Sequence, residues 1–415
     1  MNPRQGEVRT LSTIGIVAEY NPFHSGHAHQ IAQSRKVLGK NCTVAAVMSG
    51  NWVQQADCAV ADKWSRAELA LMGGVDLVLE LPTPWAVSSA ESFARGAVSI
   101  LHAAGVVDVL SFGSECGRVE PLAAAAACLE TPAYRAALSR YLDKGLSFPA
   151  ARQRGVEELL GEGADVLSTP NNNLGVEYIR ALNALNSSIQ PITVPRRGAA
   201  HNSLTELGQA KPDFLSATQI RKYLRSGDWD GAQPWLVPGG RARLERCPNG
   251  LADLNRVERA MLAKVRTMTA GDWARLPDSG GAEGLPQRLE QAGRRCTSME
   301  EFFELAKTKR YAHARLRRLA LWAWLVLTAA DIPAAPPYLR VLGFNNRGRE
   351  LLREMKEKAS MPILTKPAHA RELEEEGRRL FELEARCTDL YDLCLEQVPV
   401  PGREWTTGPV IRMQD

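Results

Sequence analysis

Three of the seven histidines in this 415-residue chain, His24, His27 and His29, fall within one short stretch, with Gly26 between the first two. A lone histidine near a turn is usually structural, but three together with a glycine at a strand-to-helix turn favour a site. Side chains three apart share one face of a helical turn. A helix start adds unpaired N–H groups and positive potential, which suit phosphate. Gly26 would let a ligand approach the backbone closely. The pattern reads as a cradle for a nucleoside triphosphate. Zinc is a weaker reading, because no cysteine or carboxylate stands at matching spacing, so no metal ligand is assigned.

Such a cradle needs a strand to deliver it. Ile14, Ile16 and Val17 read as a buried strand that breaks at Asn21-Pro22, since proline disfavours helix in the residue before it. Four more apolar runs, at 43–48, 76–81, 107–112 and 192–194, are separated by helical patterns at 29–38, 64–72, 90–104, 120–165 and 176–185. This alternation predicts an α/β fold with a doubly wound parallel sheet covered on both faces. Ligands on such sheets bind beyond the carboxyl ends of the strands. The turns at 20–21, 49–51 and 113–115 should converge there.

Three later motifs would complete the crevice. Pro170-Asn171-Asn172-Asn173 reads as a turn before a helix starting at Val176, its amides either capping that helix or meeting a base or ribose. Arg196 and Arg197 follow a strand end, a good place for phosphate. Ser216 reads as an N-cap which, with Thr218 and Arg221, makes a second phosphate-binding helix start.

The composition, 45% hydrophobic and 24% charged with a net charge of +4, is that of a soluble globular protein. The eight cysteines form no C-x-x-C pair and read as reduced thiols, so a cytoplasmic location is expected. The most apolar window, 319–330, is too short to cross a bilayer and fits a buried helix. A Gly-, Pro- and Trp-rich stretch at 227–243 marks a boundary, dividing the chain into 1–235, nucleotide-binding, and 236–415, mainly helical. Residues 301–360 carry twelve basic and six acidic side chains, the footprint of an RNA-binding surface. Oligomeric state has no signature here.

With these residues in place, the chain resembles the bacterial tRNA(Met) cytidine acetate ligase family, part of the nucleotidyltransferase superfamily with a His-x-Gly-His motif. The resemblance runs almost end to end. It is carried by 17–27 (Val-Ala-Glu-Tyr-Asn-Pro-Phe-His-Ser-Gly-His), 46–50, 63–66, 112–115, 170–175 with Tyr178, Arg196, 216–221, 309–311, and 338–345 (Tyr-Leu-Arg-Val-Leu-Gly-Phe-Asn). It implies an ATP-dependent ligase that activates acetate as acetyl-adenylate and acetylates the wobble cytidine of elongator tRNA(Met) to N4-acetylcytidine. It implies catalytic roles for His24, His27 and Arg221. The ATP contacts implied are Val17, Ala18, Glu19, Tyr20, Asn21, Pro22, Phe23, His24, Ser25, Gly26, His27, Gly113, Asn171, Asn172 and Arg196, with Ser216 and Thr218 opposite. ATP is then a substrate with Mg2+ an optional companion, tRNA(Met) binds the basic C-terminal half, and no membrane is involved.

The chain departs from the family at three places. Where Gln-Arg-Gly-Glu-Pro-Ala is usual, it reads Gln54-Gln55-Ala56-Asp57-Cys58-Ala59; Tyr-His-Asp becomes Ala200-His201-Asn202, and Lys-Arg-Tyr-Thr becomes Lys309-Arg310-Tyr311-Ala312. These changes spare the cradle and touch its surroundings. An alternative function is therefore a paralogous enzyme of the same fold acting on another adenylylated or adenosyl small molecule. A non-catalytic RNA-binding protein is a third, disfavoured by the intact His24, His27 and Arg221.

Overall fold

The computed structural model describes residues 12–196, 214–280, 284–308 and 310–413. Arg197, Asn202 and Lys309, singled out above, lie outside the described residues. Among these described residues there are ten strands: β1 (Thr13–Ala18), β2 (Thr43–Ser49), β3 (Trp52–Val53), β4 (Asp57–Cys58), β5 (Leu77–Leu81), β6 (Val109–Ser114), β7 (Gln190–Pro195), β8 (Leu339–Asn345), β9 (Ile363–Leu364) and β10 (Val410–Arg412). The main sheet runs β10-β8-β5-β2-β1-β6-β7, with β9 paired to β8. Every pairing in it is parallel except β5 with β8. Every residue of β2 and β5 is buried, as expected for apolar strands with helices on both faces.

Strand order reverses between β1 and β6, which creates the crevice where doubly wound sheets bind ligands. The helix Ser25–Leu38 leaves β1 directly into that crevice, while Ala90–Ala103 and Pro170–Ala184 pack on each other beside it. The segment expected to be helical at 120–165 divides into Val119–Leu129, Pro132–Asp143, Phe148–Leu160 and a 3-10 turn, Gly161–Ser168. The apolar window at 319–330 begins in the His313–Trp324 helix, buried from Leu319 to Trp324. No helix among the described residues is long and apolar enough to cross a membrane.

The second half is mainly helical, yet it also returns β8, β9 and β10 to the sheet, which the fading strand signal did not predict. A cut at residue 235 would therefore divide one sheet. Beneath this seam lies a buried ionic cluster. Lys63 Nζ meets Glu80 at 2.7 Å and Glu404 at 2.6 Å, with Arg340 at 3.7 Å from Glu404. Glu384 accepts from the Thr83 N–H and hydroxyl. The hairpin β3–β4 was also unforeseen; it carries the altered stretch 54–59 and has Ala56 at φ 56°.

Candidate active site

β1 ends at Ala18, and the chain turns through Glu19, Tyr20 and Asn21 before the helix opens at Ser25. Tyr20 has φ 45°, a left-handed conformation that L side chains seldom adopt. Packing holds it there, its ring 4.7 Å from that of Phe23 and 4.9 Å from that of His27. The Asn21 Oδ1 accepts from the Val60 N–H at 2.8 Å, and the Asn21 carbonyl accepts from Arg221 Nη1 at 2.8 Å.

The two histidines cap the helix reciprocally. His24 is the N-cap, and its Nδ1 accepts from the Gly26 N–H at 3.0 Å; the His27 Nδ1 accepts from the His24 N–H at 3.2 Å. A ring nitrogen that accepts carries no proton, so each neutral imidazole bears its hydrogen on Nε2. Two backbone donors expected to face phosphate are thus engaged by the rings, and two imidazole N–H donors replace them. Gly26 serves the same arrangement. A Cβ there would lie 2.8 Å from His24 Cε1, so the glycine makes room for that ring before it makes room for a ligand. Burial first, then Arg196 and Arg221, pushes His24 down to about 3. Burial, then His24 and Arg196, pushes His27 well below its ordinary value. Both rings are neutral donors in the free protein.

A cleft of about 270 Å³ opens over this turn, at the carboxyl ends of β1, β6 and β7. Of the residues expected at the site, Val17, Ala18, Glu19, Tyr20, Asn21, His24, Gly26, His27, Gly113, Asn171, Arg196 and Ser216 line it. Arg196 Nη1 donates to Asn171 Oδ1 at 3.0 Å, joining two of them across the rim. The hydroxyl of Ser216 caps the Ala217–Arg225 helix by accepting from the Gln219 N–H.

Six expected residues do not line the cleft. Phe23 is fully buried and covers Gly73; Pro22 and Ser25 shape the turn and the helix start. Asn172 is 4% exposed, its Oδ1 accepting from the N–H groups of Glu115 at 2.9 Å and Cys116 at 3.1 Å. The asparagine run is not a turn before a helix. The helix already starts at Pro170, and Glu115 caps it by accepting from the Asn172 N–H at 2.8 Å. Thr218 and Arg221 bond each other at 3.2 Å, and Arg221 holds the Asn21 carbonyl, so it supports the cradle from behind.

Reasoning from sequence gave no site role to the apolar wall, Phe93, Phe112, Leu174 and Tyr178, although the last three fall in stretches that carry the family resemblance. Nor did it place Gln54 and Gln55 in the lining or seat His29 against Phe214, ring centres 4.9 Å apart. Tyr20 Oη and Asn21 Nδ2, buried in the wall, have no partner among the described residues. Among the described residues of the lining Glu19 is the carboxylate, and its Oε1 accepts from the Gln54 N–H at 2.9 Å.

A sheet that reverses order at β1 and β6, with paired helix-capping histidines over the reversal, defines a nucleotidyltransferase. The family model for HIGH nucleotidyl transferases matches residues 11–402. The tRNA(Met) cytidine acetate ligase of Thermoanaerobacter sp. (strain X514) is 34% identical, over 97% of this chain and all of its own. That of Alkaliphilus metalliredigens is 37% identical, over 93% and 95%. Thermotoga maritima TmcAL bound with alpha-thio ATP superposes with a TM-score of 0.89 at 32% identity, over 97% of this chain and all of that one. Its apo form gives 0.91. The chain belongs to the tRNA(Met) cytidine acetate ligase family.

Proposed function

We propose that this protein is a tRNA(Met) cytidine acetate ligase that uses ATP. The observation that carries the reading is the pair of neutral imidazoles, locked by mutual capping so that each keeps an Nε2 hydrogen for a ligand in the cleft. In the first step an acetate oxygen attacks the α-phosphorus of ATP, and the bond to the β-phosphate oxygen breaks. Acetyl-adenylate forms and pyrophosphate leaves. In the second, the exocyclic amine of the wobble cytidine attacks the acetyl carbon, AMP departs and the amine loses a proton.

The residues divide this work. His24 and His27 donate to phosphate oxygens as charge builds on them, an interaction strengthened by the water-poor site. Arg196, poised by Asn171, offers a charge-assisted bond to the pyrophosphate side. Phe112, Leu174 and Tyr178 offer the flat apolar wall a nucleobase needs. Arg221 keeps the Asn21 carbonyl in place. Among the described residues of the lining Glu19 is the one carboxylate, its Oε1 engaged by the Gln54 N–H; an ion accompanying the triphosphate would be held largely by phosphate and water. The cytoplasm is the compartment that fits a tRNA substrate, and the basic residues of 236–415 belong to the proposed RNA-binding part.

The test is direct. Purified protein with ATP and acetate should release pyrophosphate and place N4-acetylcytidine in tRNA(Met), read by mass spectrometry of the digested RNA. Pyrophosphate release indifferent to tRNA, with no acetylated cytidine, would instead support the small-molecule alternative.

A further inference from the structure

A second cleft, of about 300 Å³, lies between the start of the Ala90–Ala103 helix and the His313–Trp324 helix. We propose that it binds a nucleotide of the substrate RNA next to the one that enters the active site; this rests on the function proposed above. One side offers Ser89, Ser92 and Arg95, the other Arg318, with Trp85 and Trp322 between them. Ser89 caps its helix by accepting from the Ser92 N–H. Arg95 is exposed and has no partner among the described residues, so its five N–H donors are available to an anion. Arg318 donates to Asp278 at 3.0 Å, and Arg315 also lies against that carboxylate, 3.5 Å away. Arg318 is thus oriented at the rim by Asp278, and Arg95 adds a guanidinium that has no partner among the described residues.

The floor has a different character. Trp85 is 1% exposed, and its indole N–H, buried, has no acceptor among the described residues. Trp322 is held in place by donating to the Val87 carbonyl at 2.7 Å. Trp85 and Trp322, 1% and 4% exposed, close the floor without offering a stacking face, so the guanidinium and hydroxyl groups above them match the phosphate backbone of a single strand. Position selects RNA over a free anion. Phe93, directly after Ser92, lines the ATP cleft, so the two clefts flank the first turns of one helix. A helix with its side chains is only about 10–12 Å across. A strand crossing the helix start can therefore engage Arg95 while its neighbouring nucleotide reaches the reacting atoms.

The experiment is tRNA(Met) binding by wild-type protein and by Arg95→Ala and Arg95→Glu, at several salt concentrations, with ATP affinity measured by calorimetry on the same samples. Arg95 is exposed, so melting temperatures should match. Arg95→Ala should weaken tRNA binding several-fold and reduce the salt slope by roughly 0.7, the loss expected for one phosphate contact on a single strand. Arg95→Glu should weaken it further, and neither should alter ATP affinity. Unchanged tRNA affinity and slope in both variants, with wild type still acetylating tRNA, would overturn the second site alone. Wild type that neither binds nor acetylates tRNA would overturn the functional reading and this inference together.

Discussion

At the scale of single residues, the arrangement of His24 and His27 makes ring orientation and proton position one problem. Each Nδ1 is committed to a backbone N–H, so neither ring can turn or change tautomer without undoing the helix start. His27→Ala should lower turnover by about 10²–10³-fold, the range for losing one donor to developing charge; steady-state pyrophosphate release checks it, and near-normal turnover would remove His27 from the chemistry. The pH dependence has a definite sign. His24 sits at about 3 when folded against 6.5 for an ordinary histidine, so at intermediate pH the unfolded chain binds the proton and the folded one does not. Its contribution to stability is full above 6.5 and drains away as pH falls towards 3. His24→Asn keeps a capping oxygen but does not titrate, so its melting temperature should fall less between pH 7 and 5 than wild type's; parallel curves would refute the assignment. These histidines were legible in sequence because their chemistry is local. Arg221 was read as a phosphate ligand because a chain cannot show that its guanidinium turns to the Asn21 carbonyl two hundred positions away.

At the scale of elements, the site is held by short pieces with little sequence signal of their own. The β3–β4 hairpin brings Gln54 and Gln55 to the cleft and is tied to it by the Glu19 carboxylate. Its Ala56 occupies the left-handed region where the family usually places glycine, and a Cβ there costs energy that glycine avoids. Ala56→Gly should stabilise the protein by about 0.5–1 kcal/mol in denaturant unfolding, after the glycine's greater unfolded-state freedom is subtracted; a loss of stability would show that packing of the methyl group outweighs the strain. Asn172 gives the opposite case. Asn172→Ala should cost about 1–3 kcal/mol, because it leaves the Glu115 and Cys116 N–H groups without acceptor; unfolding midpoints measure it. The long alternation of strands and helices was readable because its strand runs are nearly all apolar. The early start of the helix at Pro170 was not, since Glu115, which caps it, comes from another strand end.

At the scale of the whole molecule, the chain's two ends meet in one sheet. β8 carries Arg340 and Gly343 among its apolar residues and is preceded by a long helical stretch, so nothing local marks it as a neighbour of β5. Its pairing is set by contacts such as Asn345 Nδ2 with Asp76 Oδ1 at 2.9 Å, and by the Lys63–Glu80–Glu404 cluster, which takes one member from the far end of the chain. A fragment ending at residue 235 would leave Lys63 without Glu404 and expose the edge of β5. Breaking such a buried pair typically costs about 3–5 kcal/mol. The fragment should therefore fail to melt cooperatively and should bind ATP far more weakly than the full chain; a cooperative, ATP-binding fragment would show that the seam is dispensable. The antiparallel seam also sets a timetable. On the ribosome, β5 emerges long before β8, and at about 5–20 residues per second the wait is roughly 10–50 s. Throughout that interval β5, buried along its whole length in the finished protein, has an unpaired edge, and its Glu80 has yet to meet the Glu404 side of the cluster, so wrong strand pairing has its longest opening before β8 arrives.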